Sequence, residues 1–322
     1  MRTPDRRDPA GLSVVVLGGA GFLGRHIAEA FTAAGATVHP VSRSGPHGLD
    51  LLAAPTPDIT AFLARTRADV VVNAAGRAWR ADEAQMAAGN HALVDRVVTA
   101  LAALPDARPR LIQLGSVHEY GAGAPGAPTP EDHEPAPVTP YGRTKLLGTR
   151  AVLSAARDRG LDGVVLRLAN VIGPGVPEGS LFGKVAAHLG GAARALARGE
   201  RADPLRLPPL RAARDLVDTA DAVDAVLAAA TAGAGVAGRV INVGRGEAVP
   251  MRQLIDRMVA LSGLPVPVTE EAAAPAHRTD VDRQCLDVSL AGRLLGWRPR
   301  RDLDASLRDL LAAVVPQPGT AA

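Results

Sequence analysis

The chain has a single cysteine, few aromatic residues and no long apolar run. Cys285 is the one cysteine among 322 residues, and only 2% of the residues are aromatic. A lone thiol excludes an internal disulfide, which agrees with a reducing compartment. No apolar stretch reaches the roughly 18 to 20 residues that cross a bilayer, and the polar segment Met1–Ala10 lacks a signal-peptide core. We therefore expect a cytoplasmic protein with no membrane partner.

A large excess of either positive or negative charge is also absent from the sequence. The 36 Lys and Arg residues barely outnumber the 33 Asp and Glu residues, so the net charge is +3. The arginines are dispersed and there are few aromatic rings for stacking on bases, which argues against a nucleic-acid partner. An anionic cofactor and substrate would account more simply for the small positive net charge. We predict no nucleic-acid partner and no metal site.

Three glycines follow a short apolar segment near the start of the chain. The segment Leu12–Leu17 is β-branched and apolar, as in a strand buried on both faces of a parallel sheet. Gly18, Gly21 and Gly24 come next, and an amphipathic helix pattern continues over Arg25–Ala34. In this order the glycines let the backbone approach a pyrophosphate at a helix N-terminus. The pattern predicts a dinucleotide cofactor, although a tight turn in another α/β protein could also use glycines.

The end of the second predicted strand, Thr37–Val41, indicates which dinucleotide is bound. An acid about twenty positions after the glycines would bind the ribose 2′-hydroxyl of NAD, whereas an arginine accommodates the 2′-phosphate of NADP. Here the chain offers Ser42, Arg43 and Ser44 and no acid. We predict NADP(H), with NAD(H) possible if Arg43 is only a solvated loop residue. Asp50 is a candidate adenine contact or a turn aspartate.

Ser116, Tyr141 and Lys145 form the predicted catalytic set. The four-residue step puts Tyr141 and Lys145 on one helix face, where the ammonium favours the anionic form of the phenol. A serine hydroxyl such as that of Ser116 can orient a substrate oxygen while the phenol exchanges a proton with it. Strand alternation predicts Ser116, His118 and Tyr120 on one face, opposite Val117 and Glu119.

Apolar strands and helical segments alternate along the chain, which predicts a doubly wound α/β fold with a parallel sheet. We expect a Rossmann domain over residues 12–172, with residues 213–244 returning to it, and a smaller C-terminal substrate-binding lobe over residues 173–212 and 245–315. The proline-rich segment Gly121–Pro140 is predicted to be a loop. It could close over a substrate or form an ordered surface segment.

With these motifs the chain resembles the extended short-chain dehydrogenase/reductases, the NAD(P)-dependent epimerase/dehydratase family. The matching segments cover nearly the whole chain in the family's order: Gly18–Gly24, Asn73–Gly76, Ser116, Tyr141–Lys145, Arg167–Pro174, Arg214–Asp218, Asn242–Gly244 and Gly296–Pro299. The cofactor contacts we expect are Gly18, Gly21, Phe22, Leu23, Gly24, Ser42, Arg43, Ser44, Asp50, Leu51, Ala74, Ala75, Gly76, Tyr141 and Lys145.

The resemblance also implies substrate contacts. Family members use an asparagine at the place of Asn170, and an arginine at the place of Arg278, to contact a sugar diphosphate; Arg211 is a further candidate. An arginine suits a diphosphate because its planar fork pairs bidentately and stays charged. Ser116 and His118 complete the expected set, although His118 is equally consistent with a structural role.

The residues after Ser116 separate the reactions of the family. The resembling dehydratases carry Asp-Glu, or a glutamate alone, directly after the hydroxyl residue, and Val117 and His118 stand there instead. The segment looks more like that of the 4-keto-6-deoxyhexose reductases. We predict an NADPH-dependent 4-ketoreductase of a dTDP- or GDP-activated 4-keto-6-deoxyhexose, and we expect a homodimer. The alternatives are an NAD-dependent nucleotide-sugar 4-epimerase and a non-catalytic NADP-binding protein of the same fold.

Overall fold

The computed structural model describes residues 8–43, 48–79, 81–105, 108–271 and 281–315. Its strands, in chain order, are β1 (Ser13–Leu17), β2 (Thr37–Val41), β3 (Val70–Asn73), β4 (Arg110–Ser116), β5 (Gly163–Leu168), β6 (Asn170–Ile172), β7 (Leu205–Leu207), β8 (Ala213–Asp218), β9 (Val240–Val243), β10 (Ala248–Pro250), β11 (Val268–Glu270) and β12 (Arg283–Gln284).

The helices alternate with the strands along most of the chain. They are α1 (Phe22–Ala33), α2 (Thr56–Thr66), α3 (Glu83–Ala87), α4 (Leu93–Ala102), α5 (Pro140–Arg159), α6 (Leu181–Ala197), α7 (Thr219–Thr231), α8 (Met251–Ser262), α9 (Ser289–Leu295) and α10 (Leu303–Ala312). A π-helical turn, Ala88–Ala92, precedes α4, and 3₁₀ turns cover Val117–Glu119 and Ala234–Val236. Within the described ranges, no helix combines the length and apolar character that a membrane crossing requires.

Six parallel strands form the central sheet in the order β2-β1-β3-β4-β5-β9. Because successive side chains of a strand point to opposite faces, Val14 and Val16 join the core cluster of α1 and α7. Val15 and Leu17 join the cluster of α2, α4 and α5 on the other face. The predicted doubly wound α/β fold is confirmed.

A smaller sheet and a third core lie beside the first sheet. Strand β8 pairs with β10, with β12 and, over Leu216–Asp218, with β6, while β7 and β11 form a separate pair. Helices α6, α8 and α10 cover this region with their own apolar core. Residues 213–218 pair within the second sheet, whereas Val217 packs in the core cluster of α1 and α7. Helix α7 and strand β9 do return to the first sheet. The remaining domain boundaries stay a prediction.

The proline-rich loop is fastened away from the cavity described below. The Thr129 amide donates to the Cys285 carbonyl oxygen (2.8 Å), and the Glu131 carboxylate accepts from the Asn242 amide (2.9 Å). The Asn242 side chain donates to the Thr129 carbonyl oxygen as well (3.0 Å). No residue of 121–139 lines the cavity. The structure therefore favours the ordered surface segment over a loop that closes on substrate.

Candidate active site

A cavity of about 750 Å³ opens where β3, β4 and β5 end, as expected for an open parallel sheet. The sheet side contributes the segments that follow these strands and the start of α5. The lobe side contributes loops and the first turn of α6. The lining residues used below are Gly21, Phe22, Leu23, Ala74, Ala75, Gly76, Arg77, Trp79, Asn90, Ser116, His118, Tyr141, Lys145, Asn170, Phe182, Pro208, Pro209, Arg214 and Met251.

The turn between β1 and α1 fits a dinucleotide. Gly18 has φ +79°, and a Cβ at this position would lie 2.8 Å from the Ala75 backbone. A Cβ on Gly24 would lie 2.1 Å from the Gly18 carbonyl oxygen. Gly21 is the N-cap of α1 and has no side-chain cap, so the first amides of the helix are left for a ligand. Side chains at Gly18 and Gly24 would thus displace the turn.

A second cavity, of about 200 Å³, adjoins the first through shared lining at Gly21 and residues 74–77. It is lined by Ser42 and Arg43 at the end of β2, together with Gly18, Asp50 and Leu51. The residues predicted to contact the adenosine and the 2′-phosphate therefore line one cavity. Ser44 lies outside the described residues.

The predicted catalytic side chains meet at the end of β4. The Ser116 hydroxyl and the Tyr141 phenol line the same part of the cavity, and the interaction with Ser116 lowers the pKa of the phenol. Four residues along α5, the ammonium of Lys145 donates to the Leu114 carbonyl oxygen. All three side chains line the cavity, and Ser116 and Lys145 are 6% and 7% exposed. The helix face predicted from the spacing of Tyr141 and Lys145 is present.

The electrostatic prediction for Tyr141 is wrong in direction. Burial raises the pKa of Tyr141 to about 12; the hydrogen bond with Ser116 lowers it, and the negative charge of Glu119 adds to the rise. Burial lowers the pKa of Lys145, against the opposing effect of Glu119. Loss of solvation therefore outweighs any stabilisation of the phenolate, and Tyr141 holds its proton at neutral pH.

The predicted alternation after Ser116 is also wrong, because the chain leaves the strand there. Ser116 is the N-cap of the 3₁₀ turn, and its hydroxyl accepts from the His118 amide (3.3 Å). The His118 ring lines the cavity and stands edge-on to Tyr141, with 5.7 Å between the ring centroids. Glu119 turns inward instead and is completely buried.

The predicted substrate contacts have different outcomes. Asn170 lines the cavity, where its amide donates to the Asp215 carbonyl oxygen (3.1 Å). Arg211 is exposed and is absent from the cavity lining, and Arg278 lies outside the described residues. The cavity arginine in this region is Arg214, which is 7% exposed. The family motif Arg214–Asp218 includes Arg214, but the sequence predicted no role for this residue.

Three further lining residues were not predicted. Asn90, on the π-helical turn, accepts from the Arg77 amide (2.8 Å) and donates to the Thr144 hydroxyl (3.1 Å). The π-helical turn is the signal that indicates Asn90, since such turns often occur at functional sites. The sequence does not reveal this turn. Arg77 and Trp79 follow β3, and Trp79 faces Gly179 of the lobe. Within the described residues no acidic side chain lines this cavity.

A glycine-rich turn at the carboxyl ends of a parallel sheet, joined to a serine, tyrosine and lysine at one cavity, defines a nicotinamide-dependent oxidoreductase class. The model of the NAD dependent epimerase/dehydratase family matches residues 14–244. The chain belongs to this family.

Relatives extend over nearly the whole chain. A dTDP-6-deoxy-L-talose 4-dehydrogenase (NAD(P)(+)) of Kitasatospora kifunensis is 42% identical over 93% of this chain and 95% of its own length. A GDP-6-deoxy-D-mannose reductase of Pseudomonas aeruginosa is 28% identical over 92% of this chain and 95% of its own length. The structure of RMD from Pseudomonas aeruginosa complexed with NADPH has 26% identity and a TM-score of 0.78, and covers 94% of this chain and 98% of that one.

These findings confirm the predicted resemblance to extended short-chain dehydrogenase/reductases. The chain is an NAD(P)-dependent enzyme of this kind.

Proposed function

We propose that this protein is an NADPH-dependent 4-ketoreductase of a dTDP-activated 4-keto-6-deoxyhexose. The observation that carries the proposal is the meeting of Ser116, Tyr141 and Lys145 at one cavity with no acidic side chain among its described lining. Elimination of water requires an additional acid or base, and Val117 and His118 occupy the positions where the resembling dehydratases carry carboxylates. Proton delivery to a carbonyl oxygen needs only the pair that is present.

The residues divide the work of carbonyl reduction between them. A bound reduced nicotinamide supplies the hydride. The Ser116 hydroxyl donates to the substrate carbonyl oxygen and so orients it beside Tyr141. The Tyr141 phenol then gives its proton to that oxygen as negative charge develops there. The raised pKa of Tyr141 suits an acid, because the phenol is protonated at neutral pH. Lys145 would bind the ribose hydroxyls of the cofactor with the donors that its bond to the Leu114 carbonyl oxygen leaves free.

The named activity of the relative that is 42% identical supports reaction at position 4. A 4-dehydrogenase acting on a dTDP-6-deoxyhexose and a 4-ketoreductase run one reaction in opposite directions. The cavity lining favours a pyrimidine nucleotide over guanine, since its described residues include Phe182, Pro208, Pro209 and Met251 and no carboxylate that could accept the ring N–H and amino group of guanine.

The positive side chains of the cavity suit a sugar diphosphate. Arg77, Lys145 and Arg214 are the Lys and Arg residues of its described lining. Asn170 on β6 pairs with Leu216 of β8, two residues after Arg214, and both Asn170 and Arg214 line the cavity, so the two could share the diphosphate. We propose Arg214 in place of Arg211 for this contact; Arg278 remains a candidate. Arg43 and Ser42, at the end of β2, would bind the 2′-phosphate of NADPH.

One assay tests the proposal directly. Purified protein is incubated with NADPH and a panel of dTDP-, UDP- and GDP-4-keto-6-deoxyhexoses, and the loss of reduced-nicotinamide absorbance is followed. We expect consumption in proportion to the dTDP substrate, with deuterium from 4-labelled NADPH at the former carbonyl carbon. No consumption with any member of the panel would refute the reductase.

A second candidate is an NAD-dependent nucleotide-sugar 4-epimerase. The structure of a UDP-glucose 4-epimerase from Thermotoga maritima has a TM-score of 0.79 and 25% identity, and covers 93% of this chain and 97% of that one. An epimerase retains its cofactor through oxidation and re-reduction. Conversion of a UDP- or dTDP-hexose to its 4-epimer with no added cofactor would establish this alternative. A non-catalytic NADP-binding protein is disfavoured, because it has no use for the Ser116 and Tyr141 pair.

We further propose a homodimer. Helix α5 exposes Leu147 (41%), and Val138 just before this helix is 45% exposed. Exposed apolar side chains at one helix suit contact with a second copy. Light scattering on the purified protein measures the mass. A monomer at micromolar concentration would refute the dimer. The predicted cytoplasmic location stays a prediction.

A further inference from the structure

Helix α5 carries a third side chain on the face that bears Tyr141 and Lys145. The three residues Tyr141, Lys145 and Thr149 follow one another at four-residue spacing, so they lie along one face of the helix. Tyr141 contacts Ser116, and Lys145 contacts the Leu114 carbonyl oxygen. The Thr149 hydroxyl donates to Oε2 of Glu119 (2.9 Å). The helix is thereby joined to the end of β4 at three successive points.

Glu119 connects Thr149 to Ser116 of the catalytic set. Its Oε1 accepts from the Ser116 amide (2.7 Å). Its Oε2 accepts from Nε (3.0 Å) and Nη2 (2.8 Å) of Arg167 on β5, in addition to Thr149. Glu119 and Arg167 are 0% and 2% exposed. The carboxylate is therefore fixed by four donors, one of which is the backbone of Ser116.

The surrounding residues leave room for the ion pair of Glu119 and Arg167 and hold it in place. Gly115 pairs with Arg167 across β4 and β5, and a Cβ on Gly115 would lie 2.8 Å from Glu119 Oε1. The guanidinium of Arg167 stacks 4.2 Å from the ring centroid of Tyr120. The Tyr120 hydroxyl donates to Asn242 Oδ1 (3.0 Å). The Tyr120 ring beside the guanidinium is thus itself anchored to β9.

We propose that Glu119, held between Arg167 and Thr149, is a positioning residue that fixes Ser116 against Tyr141 and supplies the fixed negative charge behind the catalytic pair. The inference rests on the proposed roles of Ser116 and Tyr141. Glu119 itself lies outside the cavity lining, so it acts through its neighbours.

The charge of Glu119 has a defined consequence. It raises the pKa of Tyr141 and also that of Lys145, where it opposes the effect of burial. The charged or titratable groups around it are Arg167 on β5, Tyr120 in the adjoining turn, and Tyr141 and Lys145 on α5. The carboxylate thus keeps the proton on Tyr141 and on Lys145 up to higher pH than burial alone would allow.

Removal of one hydroxyl tests the positioning role. Thr149→Val deletes a donor to Glu119 at constant shape, whereas Thr149→Ser keeps it. We expect Thr149→Val to lower kcat about 3- to 10-fold, the range of one net hydrogen bond, with little change in KM. Thr149→Ser restores kcat. The matched control is Thr231→Val, a buried hydroxyl on α7 that donates to the Leu227 carbonyl oxygen.

The control separates a specific effect from a general loss of packing. Thr231→Val leaves kcat unchanged if positioning is local to Glu119. An unchanged kcat in Thr149→Val, or an equal fall in Thr231→Val, would overturn the positioning role.

A titration without cofactor or substrate tests the role of the charge. The chain has two tyrosines, so Tyr120→Phe leaves Tyr141 as the only phenol. In this background we expect Glu119→Gln to move the onset of tyrosinate absorbance to lower pH by about one unit, the size of one charge interaction in a protein interior. Thr149→Val, which keeps the charge, moves it less.

The double change Glu119→Gln with Arg167→Met guards against misfolding, because it removes both buried charges together. It is titrated in the same way, and a lower onset is again expected. An unmoved onset in the folded variants would overturn the role of the charge. Since no substrate is present, this result is independent of whether the sugar panel finds a reaction.

Discussion

The sheet side of the cavity is made from the ends of buried parallel strands, whereas the lobe side combines loops and a first helical turn with residues of the second sheet. Ser116 ends β4, whose seven residues are all buried, and β4 is paired with β3 and with β5. The lobe side contributes Pro208 and Pro209 from a loop, and Arg214 from β8, where it pairs with Val249 and Gln284. Backbone pairing therefore fixes the first wall more completely than the second.

This difference has a physical origin in register. A slip of one residue in a central strand would move every apolar side chain to the opposite face, so the position of Ser116 is strongly determined. The loop before Arg214 has no comparable constraint. We therefore expect changes on the sheet side to affect chemistry and changes on the lobe side to affect substrate affinity.

The largest effect is expected on the sheet side, from Tyr141→Phe. Loss of a positioned proton donor lowers kcat by about 100- to 10,000-fold, while folding and NADPH binding persist. The measurement is steady-state kinetics with the dTDP substrate, alongside NADPH fluorescence titration. Tyr120→Phe is the matched control, because its hydroxyl bonds Asn242 in the core and not the cavity. Equal activity of the two variants would remove Tyr141 from its role.

The same contrast explains what the sequence could predict. The strands around the glycine turn, the helix with Tyr141 and Lys145, and the doubly wound parallel class of the sheet follow from local periodicity and spacing. Arg211 was preferred to Arg214, although only Arg214 lines the cavity, because the sequence does not show that the irregular segment with Arg211 ends and strand β8 begins at Ala213. The inward turn of Glu119 was missed because strand alternation does not continue through a 3₁₀ turn.

Electrostatics were the other failure. The position of Lys145 on the Tyr141 face was predicted, but the sign of the Tyr141 shift was not, since burial depends on the whole fold. Spacing shows which groups share a helix face. It does not show how much water they lose.

A second prediction compares two arginines of the lobe side. Arg214→Gln removes a cation from the cavity and is expected to raise the KM of the nucleotide sugar by about 10- to 100-fold, corresponding to about 1.5 to 3 kcal/mol for a charged hydrogen bond. Arg211→Gln, on an exposed residue, changes KM less than about twofold. A large effect of Arg211 with none of Arg214 would reverse the assignment. Circular dichroism of both variants checks folding.

A third prediction concerns Arg43 at the end of β2. This residue lines the second cavity but is exposed, so water weakens its contribution. Arg43→Ala is expected to weaken NADPH binding about 5- to 10-fold and to leave NADH binding unchanged. Titration of both cofactors by nicotinamide fluorescence gives the ratio. Equal loss for both cofactors would mean that Arg43 does not recognise the 2′-phosphate.

The smallest effect is a near-absence of pH dependence in the reductive direction. The phenol must be protonated to give its proton to the carbonyl, and burial raises the pKa of Tyr141 to about 12. A raised acid pKa keeps the active form populated below that value, so kcat for reduction should change less than about twofold between pH 6 and pH 9.

The reverse oxidation needs the phenolate and should instead accelerate as the pH rises. Parallel kcat profiles for both directions, on NADPH and NADP⁺, check the sign. A reductive kcat that falls about tenfold per unit above pH 7 would show that Tyr141 loses its proton near neutrality, and that the sheet side binds the phenolate more strongly than its burial allows.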